Sequence, residues 1–523
     1  PAVLVATPSK IATNIGVAQT VTITGAVGAV TAILDPKIAG VTVSGSTILL
    51  APIRNGTAVL HVADASGSGT VDVPVRIAPN AGTIAQALAI KVTGANVDPA
   101  FVALQTTLAL NRATSALPGA TLQIGLVTPQ ATPLTTGGQV VLAVPVTIAG
   151  GDQYLDVSGT TQVTVQQVAA APFDPSVLYY SDDPERILND GVLYRGVITD
   201  SQAVRLYDYH ENGTQLRRIV LVLAPSSTAT STVQVLGYFA GPSGDVMNVG
   251  HAVTKNFLID KAKNQGVVFD LTGSAPFFER DVLMRSRDGV ASAIDFKLLS
   301  GGAVTLSVLA VSPGVNPALL LDGPLLPSDG KGRMGTYSLV GYGTQTLAYA
   351  ALGQEVSATI GDREPTVPKV APADPGKNLG DYGVLFTLNV ALSNPTDLPQ
   401  VAYLYESPRG GPARASYQLD AEPVPIEIGC ATSAKSATAP PHRYLIRAFS
   451  LAPHASETHV IRTMTDGGSN FPLIIGVSPV APEPTAPPIS APDGCFPKPG
   501  YTSPPALIPA PPASTSPAPE ATP

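Results

Sequence analysis

The chain has 523 residues, too long for one ordinary domain and suited to about three or four. Only 13% of the residues are charged, and 49 Gly and 51 Pro interrupt the chain, which argues against both a disordered and a helical protein. The net charge of −8 without a basic run argues strongly against nucleic-acid binding, and no apolar stretch reaches the ~18 residues of a membrane span. This composition predicts a mainly β protein.

Residues 1–80 predict an immunoglobulin-like β-sandwich. Alternating apolar and polar runs, such as QTVTITG and GTAVLHVAD, are separated by Gly, Ser, Asn or Asp turns. The segment GVTVSGSTILLAPIRNGTAVLHVADASGSGTVDVPVRI, from Gly40 to Ile77, resembles the bacterial immunoglobulin-like repeats of invasins and other surface proteins. The resemblance is confined to about half of this first domain. It implies a stalk or display module that contributes no catalytic residues.

Residues 81–172 predict a small α+β domain. Asp98 is placed to cap a helix, with Pro99 at the first helical position. The apolar face of this helix repeats at spacings of three and four residues: Phe101, Leu104 and Leu108. We expect this face to pack on the strands that follow, although it could instead line a ligand groove.

Residues 173–325 and residues 326–478 predict two further β-sandwiches in tandem. The segment from Arg205 to Pro225 in the first can be set beside the segment from Leu385 to Pro408 in the second. Each contains an alternating run, an Asn-x-Thr turn and a second alternating run. The two domains therefore share an architecture or descend from a duplication.

The stretch RLYDYHENGTQLRRIVLVL contains the first half of the zinc-protease motif His-Glu-x-x-His at His210-Glu211. Thr214 stands where the second His is required, and Asn212-Gly213 is a strong hairpin signal that is unfavourable in a helix. We therefore predict a β-hairpin here. The sequence also contains no Gly-x-Ser-x-Gly elbow, phosphate loop or dinucleotide fingerprint, so we predict that the protein is not an enzyme.

Residues 479–523 contain proline at about every third position, which predicts a disordered, extended tail. Cys495 lies in this tail, and Cys430 lies in the domain before it. Two cysteines suffice for one disulfide, so a Cys430–Cys495 bridge and two unlinked thiols both stay open. Because the chain begins at Pro1, we expect that a leader was removed in front of it. Low charge with abundant Thr, Gly and Pro predicts a secreted or surface-displayed protein.

Two groups of residues are candidate binding sites. The acidic turn YYSDDPERI offers hard oxygen ligands of the kind that Ca²⁺ prefers, or simply solvated carboxylates: Asp182, Asp183 and Glu185. The second group would offer aromatic faces and planar donors to a sugar: Arg205, Tyr207, Tyr209 and His210. An inter-sheet or interdomain contact is the alternative for this group, and the absence of Trp argues against a carbohydrate site. Apart from Ca²⁺, no cofactor is predicted.

These features predict a secreted or surface-displayed structural or adhesive protein, such as a subunit of an extracellular filament or layer. Its partners would be further copies of itself or other surface proteins, contacted through sandwich packing and strand edges. The alternative is a carbohydrate-binding protein that binds glycans through the Tyr-rich third domain. A hydrolase ranks third, because it would need a carboxylate pair from separate strands that the sequence does not reveal.

Overall fold

The computed structural model describes residues 3–67, 69–213, 215–273, 277–362, 366–372, 376–432 and 441–482. Within these ranges the chain forms 36 strands and two α-helices, which confirms a mainly β protein built from β-sandwiches. The predicted tail lies almost entirely outside the described residues. None of the described helices is long and apolar enough to cross a membrane.

The chain divides into two compact units. The first combines the chain up to Ile90 with Ala100–Ala131 and Gln139–Val165, and the second combines Lys91–Pro99, Thr132–Gly138 and the chain from Gln166 onward.

The first unit begins with a sandwich of two four-stranded sheets. Its strands are β1 (Val5–Thr7), β2 (Ile11–Thr13), β3 (Gln19–Thr24), β4 (Val30–Ile33), β5 (Ala39–Ser44), β6 (Thr47–Pro52), β7 (Gly56–Asp64) and β8 (Thr70–Ile77). One sheet has the order β1-β3-β6-β5, and the other has the order β2-β8-β7-β4. Alternate residues of both sheets fill one aliphatic core, including Val21, Ile48, Leu50, Leu60 and Val73. The alternating runs of the sequence are therefore strands whose apolar residues face this core.

One helix and several strands follow in the chain. They are β9 (Gly82–Thr83), β10 (Ala87–Thr93), β11 (Asn96–Val97), α1 (Pro99–Ala113), β12 (Ser115–Ala116), β13 (Thr121–Ile124), β14 (Leu134–Thr135), β15 (Gln139–Ala149) and β16 (Val157–Gln167). Helix α1 begins at Pro99 as predicted, but Leu104 and Leu108 are only half-buried. The buried face is rotated from the predicted one and consists of Phe101, Val102, Gln105, Thr106, Ala109 and Leu110.

The second unit contains two sandwiches, and the first of them carries the second helix. Its elements are β17 (Val177–Ser181), β18 (Arg186–Ile187), β19 (Gly191–Ile198), β20 (Val204–Asn212), β21 (Arg217–Pro225), β22 (Ser231–Ser243), α2 (Val246–Lys263), β23 (Gly266–Leu271), β24 (Phe277–Met284), β25 (Gly289–Ser300), β26 (Val304–Val311), a 3₁₀ turn at Pro317–Leu320 and β27 (Met334–Ser338). One sheet contains the order β23-β22-β25-β20-β17-β27, and the other is β19-β26-β21-β24. Because β27 pairs with β17, the boundary predicted at 325/326 precedes a strand of this sandwich.

The hairpin predicted at Asn212-Gly213 is wrong. Strand β20 pairs with β17 and β25, while β21 pairs with β24 and β26, so the chain crosses here from one sheet to the other. The buried Asn212 side chain stabilises the crossing. Its amide donates hydrogen bonds to the carbonyl oxygens of Gln215, Met284 and Arg285. Which strands pair depends on residues that are distant in the sequence. A two-residue turn signal carries no information about them.

The last sandwich repeats this crossing. Its strands are β28 (Thr344–Ala350), β29 (Val356–Ile360), β30 (Leu385–Ser393), β31 (Gln400–Pro408), β32 (Ala413–Leu419), β33 (Ile426–Ala431), β34 (Tyr444–Leu451), β35 (Ser456–Met464) and β36 (Leu473–Ser478). The sheets are β28-β30-β35-β32-β33 and β29-β36-β31-β34, so β30 and β31 also lie in different sheets. The buried Asn394 between them donates to the carbonyl oxygens of Leu398, Leu451 and Ala452. The sequence echo is thus a shared sheet-to-sheet crossing.

Candidate functional site

The predicted sugar-binding residues lie on β20, and all four are buried. Arg205, Tyr207 and Tyr209 share one face of the strand, because side chains alternate along it. His210 lies on the opposite face. The residues are thus placed together as the sequence indicates, but they form an internal contact, which is the alternative that the sequence left open.

The Arg205 guanidinium forms a bidentate ion pair with Asp295, with N–O distances of 2.6 and 3.0 Å. Its Nη1 donates to the Gly383 carbonyl at 3.0 Å, and the group lies 4.6 Å from the ring centroid of Phe257. Both side chains of the ion pair are almost completely buried, at 1% and 0% exposure. All three guanidinium nitrogens therefore have partners within the protein, and Arg205 joins its own sheet to α2 and to the last sandwich.

The tyrosines of this region form an aromatic core. The ring centroid of Tyr382 lies 6.1 Å from that of Tyr207 and 6.4 Å from that of Tyr180, with which it is stacked. Tyr180 also makes an edge contact with Tyr337 at 6.4 Å. Burial raises the pKa of the Tyr207 hydroxyl well above its usual value. The Tyr-rich stretch is thus packed inside the second unit.

His210 is held as a neutral imidazole. Its Nδ1 lies 3.0 Å from the Pro184 carbonyl oxygen, which can only accept, so Nδ1 carries the proton. Its Nε2 then accepts from the Ser181 hydroxyl at 3.0 Å. Burial lowers the pKa of His210, which favours the same neutral form. Both nitrogens are occupied, so this ring offers nothing to a ligand.

The acidic turn does not gather its carboxylates into a ligand set. Asp182 accepts from the Tyr180 hydroxyl at 3.0 Å, and Asp183 accepts from the hydroxyl of Ser328 at 2.6 Å. Glu185 forms an ion pair with Arg333 at 2.6 Å. Across the described ranges, no group of three or more His, Cys, Asp or Glu could hold a metal ion. The positive charge beside the predicted Ca²⁺ ligands comes from Arg333 and Lys331 of the chain itself.

Sequence reasoning missed helix α2. Asp245 caps its first turn, and Asn264 ends it in the left-handed conformation. The apolar residues of its buried face recur every four positions: Val249, Val253 and Phe257. That signal was available, but Gly250 and the β-branched residues around it favour a strand or loop assignment.

His251 of helix α2 lies between two carboxylates, and we call His251, Lys255, Glu427 and Asp466 the α2 seam. The Nδ1 of His251 is 2.8 Å from Asp466, and its Nε2 is 2.9 Å from Glu427. Lys255 binds the other oxygen of Glu427 at 2.6 Å. Burial alone would lower the pKa of His251, but the hydrogen bonds to both carboxylates outweigh it and raise the pKa to about 9. The ring is therefore a buried imidazolium that donates from both nitrogens.

Burial and hydrogen bonds shift the pKa values of the two carboxylates near His251 in opposite directions. Burial raises the pKa of the neighbouring Glu406 to about 8, although its hydrogen bond from Tyr417 opposes the shift. For Glu427, burial opposes a fall, yet the hydrogen bonds from His251 and Lys255 lower its pKa to about 2. The His251 side chain is 3% exposed, so solvent barely reaches it. The α2 seam therefore connects helix α2 to the last sandwich.

The edge strands of the first sandwich, whose outer backbone groups have no partner strand among the described residues, contain no charged residues. All four strands of the sheet β1-β3-β6-β5 lack charged residues, and so do β2 and β4, the edge strands of the other sheet. Natural sheets usually protect exposed edges with charged side chains, proline or bulges. Every edge strand of this sandwich therefore lacks the charge that would repel another strand.

A groove of about 890 Å³ lies within the first unit, against β2, β7 and β8. Its lining includes Lys10, Thr57, Arg76 and Asp156. The Arg76 guanidinium already donates to the carbonyl oxygens of residues 151 and 154. Its described lining contains no aromatic ring on which a sugar could stack, so it does not favour glycan binding.

Cys430 lies buried on β33, and Cys495 lies outside the described residues. The predicted bridge between them stays a prediction.

No protein-family model matches the sequence, and no curated protein matches it either. Among solved structures, human Protocadherin-24 EC1-2 matches with a TM-score of 0.13 and 10% identity, over 32% of this chain and 98% of that one. InvD of Yersinia pseudotuberculosis matches with a TM-score of 0.13 and 12% identity, over 60% and 98%. The Bacteroides ovatus glucan-locus protein SGBP-B, solved with a mixed-linkage heptasaccharide, matches with a TM-score of 0.12 and 12% identity, over 58% and 72%. Similarities this low carry no argument about fold or function.

Proposed function

We propose that this chain is a secreted or surface-displayed structural or adhesive protein that associates with further copies of itself through its β-sandwiches. The strongest support is the first sandwich, in which one complete sheet and every edge strand lack charged residues. The unpaired backbone N–H and C=O groups of an edge strand can form hydrogen bonds with an added strand. Edge strands without charged side chains do not repel the strand that is added.

The proposed role needs no catalysis and no cofactor. The ionisable residues that the sequence offers as candidate ligands, such as Arg205 and His210, form internal ion pairs and hydrogen bonds of the second unit. A protein that acts by contact would use such groups to hold its own domains together. Absence of turnover across panels of glycoside, ester and peptide substrates is the expected result.

Glycan binding by the Tyr-rich region is less well supported. Tyr207 and Tyr209 are 1% and 6% exposed, so neither ring presents a face to a sugar. We therefore do not assign a glycan site to this strand.

Sizing of the purified full chain over a range of concentrations, together with negative-stain microscopy of the same samples and of the source cells, tests the proposed function. We expect concentration-dependent growth in mass and regular filaments or layers. A chain that stays monomeric at the highest attainable concentration and does not coat its cells would contradict self-association.

A further inference from the structure

We infer, on the basis of the proposed function, that β5 is the strand through which copies meet. It would pair antiparallel with β5 of a second copy about a two-fold axis and join two four-stranded sheets into one of eight strands. Isologous two-fold contacts of this kind are the commonest form of homo-oligomer interface.

β5 is the longest edge strand of the first sandwich. It has six residues, whereas the other edge strands β1, β2 and β4 have three, three and four. In the part of the chain that the structure describes, β5 pairs with β6 alone. Its sequence, AGVTVS, contains neither charge nor proline. The longest open edge is thus also an unprotected one.

The backbone directions along β5 follow from its pairing with β6. The Ile53 amide donates to the Ile38 carbonyl at 2.9 Å, which makes this a hydrogen-bonded pair of the antiparallel ladder. Hydrogen-bonded and non-bonded pairs alternate along such a ladder. Because Val41 lies opposite Leu50 and Val43 lies opposite Ile48, both valines fall at non-bonded positions. Their N–H and C=O groups therefore point away from β6, toward the open edge.

These directions allow registers in which outward-pointing residues of the two copies face each other, and we infer the register that is centred on Thr42. Val41 of one copy lies opposite Val43 of the other, and each pair exchanges two backbone hydrogen bonds, so the two-fold axis passes beside Thr42. Thr42 then faces Thr42 of the second copy, and Thr–Thr is a favourable cross-strand pair. Ala39 lies opposite Gly45 of the second copy, where no side chain obstructs the approach. The strand is self-complementary in this register.

The partial burial of two valine side chains also indicates that β5 is the edge at which copies meet. Val41 and Val43 face the sandwich core but are only half-buried, because no described strand pairs with β5 on this side. At the opposite side of the sandwich, Leu4, Ala6 and Ile11 are 4–5% exposed. A second β5 would cover the two valines with apolar side chains of its own and introduce no opposing charge.

Charge placed on the axis tests this register in the full chain. Thr42 is exposed on the outer face, so we would prepare Thr42→Lys and Thr42→Glu and measure self-association by sedimentation velocity. Because residue 42 faces its own copy, each variant alone brings like charges together and should dissociate about tenfold more readily. An equimolar mixture should recover association, since Lys then faces Glu. Thr22→Lys is the matched control, because Thr22 is exposed on the interior strand β3 of the same sheet.

The outcomes separate this inference from the proposed function. Weakening by both charged variants, recovery in the mixture and an unaffected Thr22→Lys control would support pairing through β5. If the unmodified chain associates and the Thr42 variants associate equally well, or if Thr22→Lys weakens association as much, pairing through β5 is overturned while the proposed function stands. If the unmodified chain remains monomeric at every concentration, both are overturned. Circular dichroism of each variant establishes that it is folded.

Discussion

The first sandwich and the second unit treat polar residues in opposite ways. Among the described residues of the first sandwich, the buried polar ones are Thr13 and Asp64, and the core cluster is aliphatic. The second unit buries complete ion pairs, including Arg205 with Asp295. Ion pairs are costly to desolvate but directional, so they specify which elements meet more than they add stability. We expect substitutions in the aliphatic sandwich to lower the free energy of unfolding less than substitutions at the buried ion pairs of the second unit.

The position of the buried charges explains their presence. One hydrophobic cluster contains residues from both sandwiches of the second unit, such as Phe257 and Leu388. Arg205 and the α2 seam lie where helix α2 meets the last sandwich. Apolar packing alone would allow these surfaces to slide, whereas paired charges accept one arrangement. This is a hypothesis about specificity, and the predictions below test it against the first sandwich.

The largest expected effect is from breaking a buried ion pair. Arg205→Met leaves the buried Asp295 carboxylate with Lys261 as its one remaining ion-pair partner among the described residues, so we expect a loss of about 3–5 kcal/mol in the unfolding free energy of the second unit. Tyrosine fluorescence during urea denaturation measures this, because the first sandwich contains no Tyr or Trp.

Arg447→Met is the matched control for this prediction. Arg447 also pairs with a carboxylate, that of Glu422, but their side chains are 38% and 41% exposed, so we expect a change of about 1 kcal/mol or less. Equal losses in the two variants would show that burial of the pair does not matter, and the contrast between the two regions would lose its energetic basis.

The features that could be predicted from the sequence are those that depend on near neighbours. Strand alternation in the first sandwich, the start of α1 at Pro99 and the shared face of Arg205, Tyr207 and Tyr209 all follow from local spacing. The partners of those side chains do not. His251 and Asp466 are 215 residues apart, and no spacing rule joins them. For the same reason the local turn signal at Asn212 predicts a hairpin, although β20 and β21 each pair with strands that are distant in the sequence.

The second prediction concerns pH. The folded pKa of His251, about 9, lies above its ordinary value of 6.5, so its contribution to stability is complete below about pH 6.5 and is lost as the pH rises through 9. Glu406, with a folded pKa of about 8, acts in the same direction between pH 4.5 and 8. Between pH 6 and 9 we expect the second unit to lose about 3 kcal/mol through His251 and a further loss of similar size through Glu406.

Urea denaturation followed by tyrosine fluorescence at pH 6 and at pH 8.5–9 would measure this loss, below the ordinary titration of tyrosine itself. His251→Gln keeps a side chain that can donate a hydrogen bond but does not titrate, so it should reduce the pH dependence to the part that Glu406 contributes. A variant with the same pH dependence as the unmodified chain would rule out His251 as the group responsible.

The third prediction concerns the closeness of α2 to the last sandwich. A methyl group at Gly250 would overlap the backbone of Gly467, so Gly250→Ala should destabilise the second unit by about 1–3 kcal/mol. Helix propensity alone predicts the opposite sign, a gain of up to about 1 kcal/mol. Thermal denaturation decides between the two. Gly159→Ala, where the nearest atom is 4.0 Å away, is the control for which no loss is expected.

The smallest expected effect is from Thr42→Lys on the stability of the first sandwich. Thr42 is exposed on an edge strand and contributes nothing to the aliphatic core, so the unfolding free energy should change by no more than about 0.5 kcal/mol. Hydrogen exchange of peptides from β6, measured at concentrations where the chain is monomeric, would report it. A loss well above 1 kcal/mol would mean that this face is already covered within one chain. The first sandwich would then resemble the second unit in depending on specific internal contacts, and its open edge could not be the surface at which two copies meet.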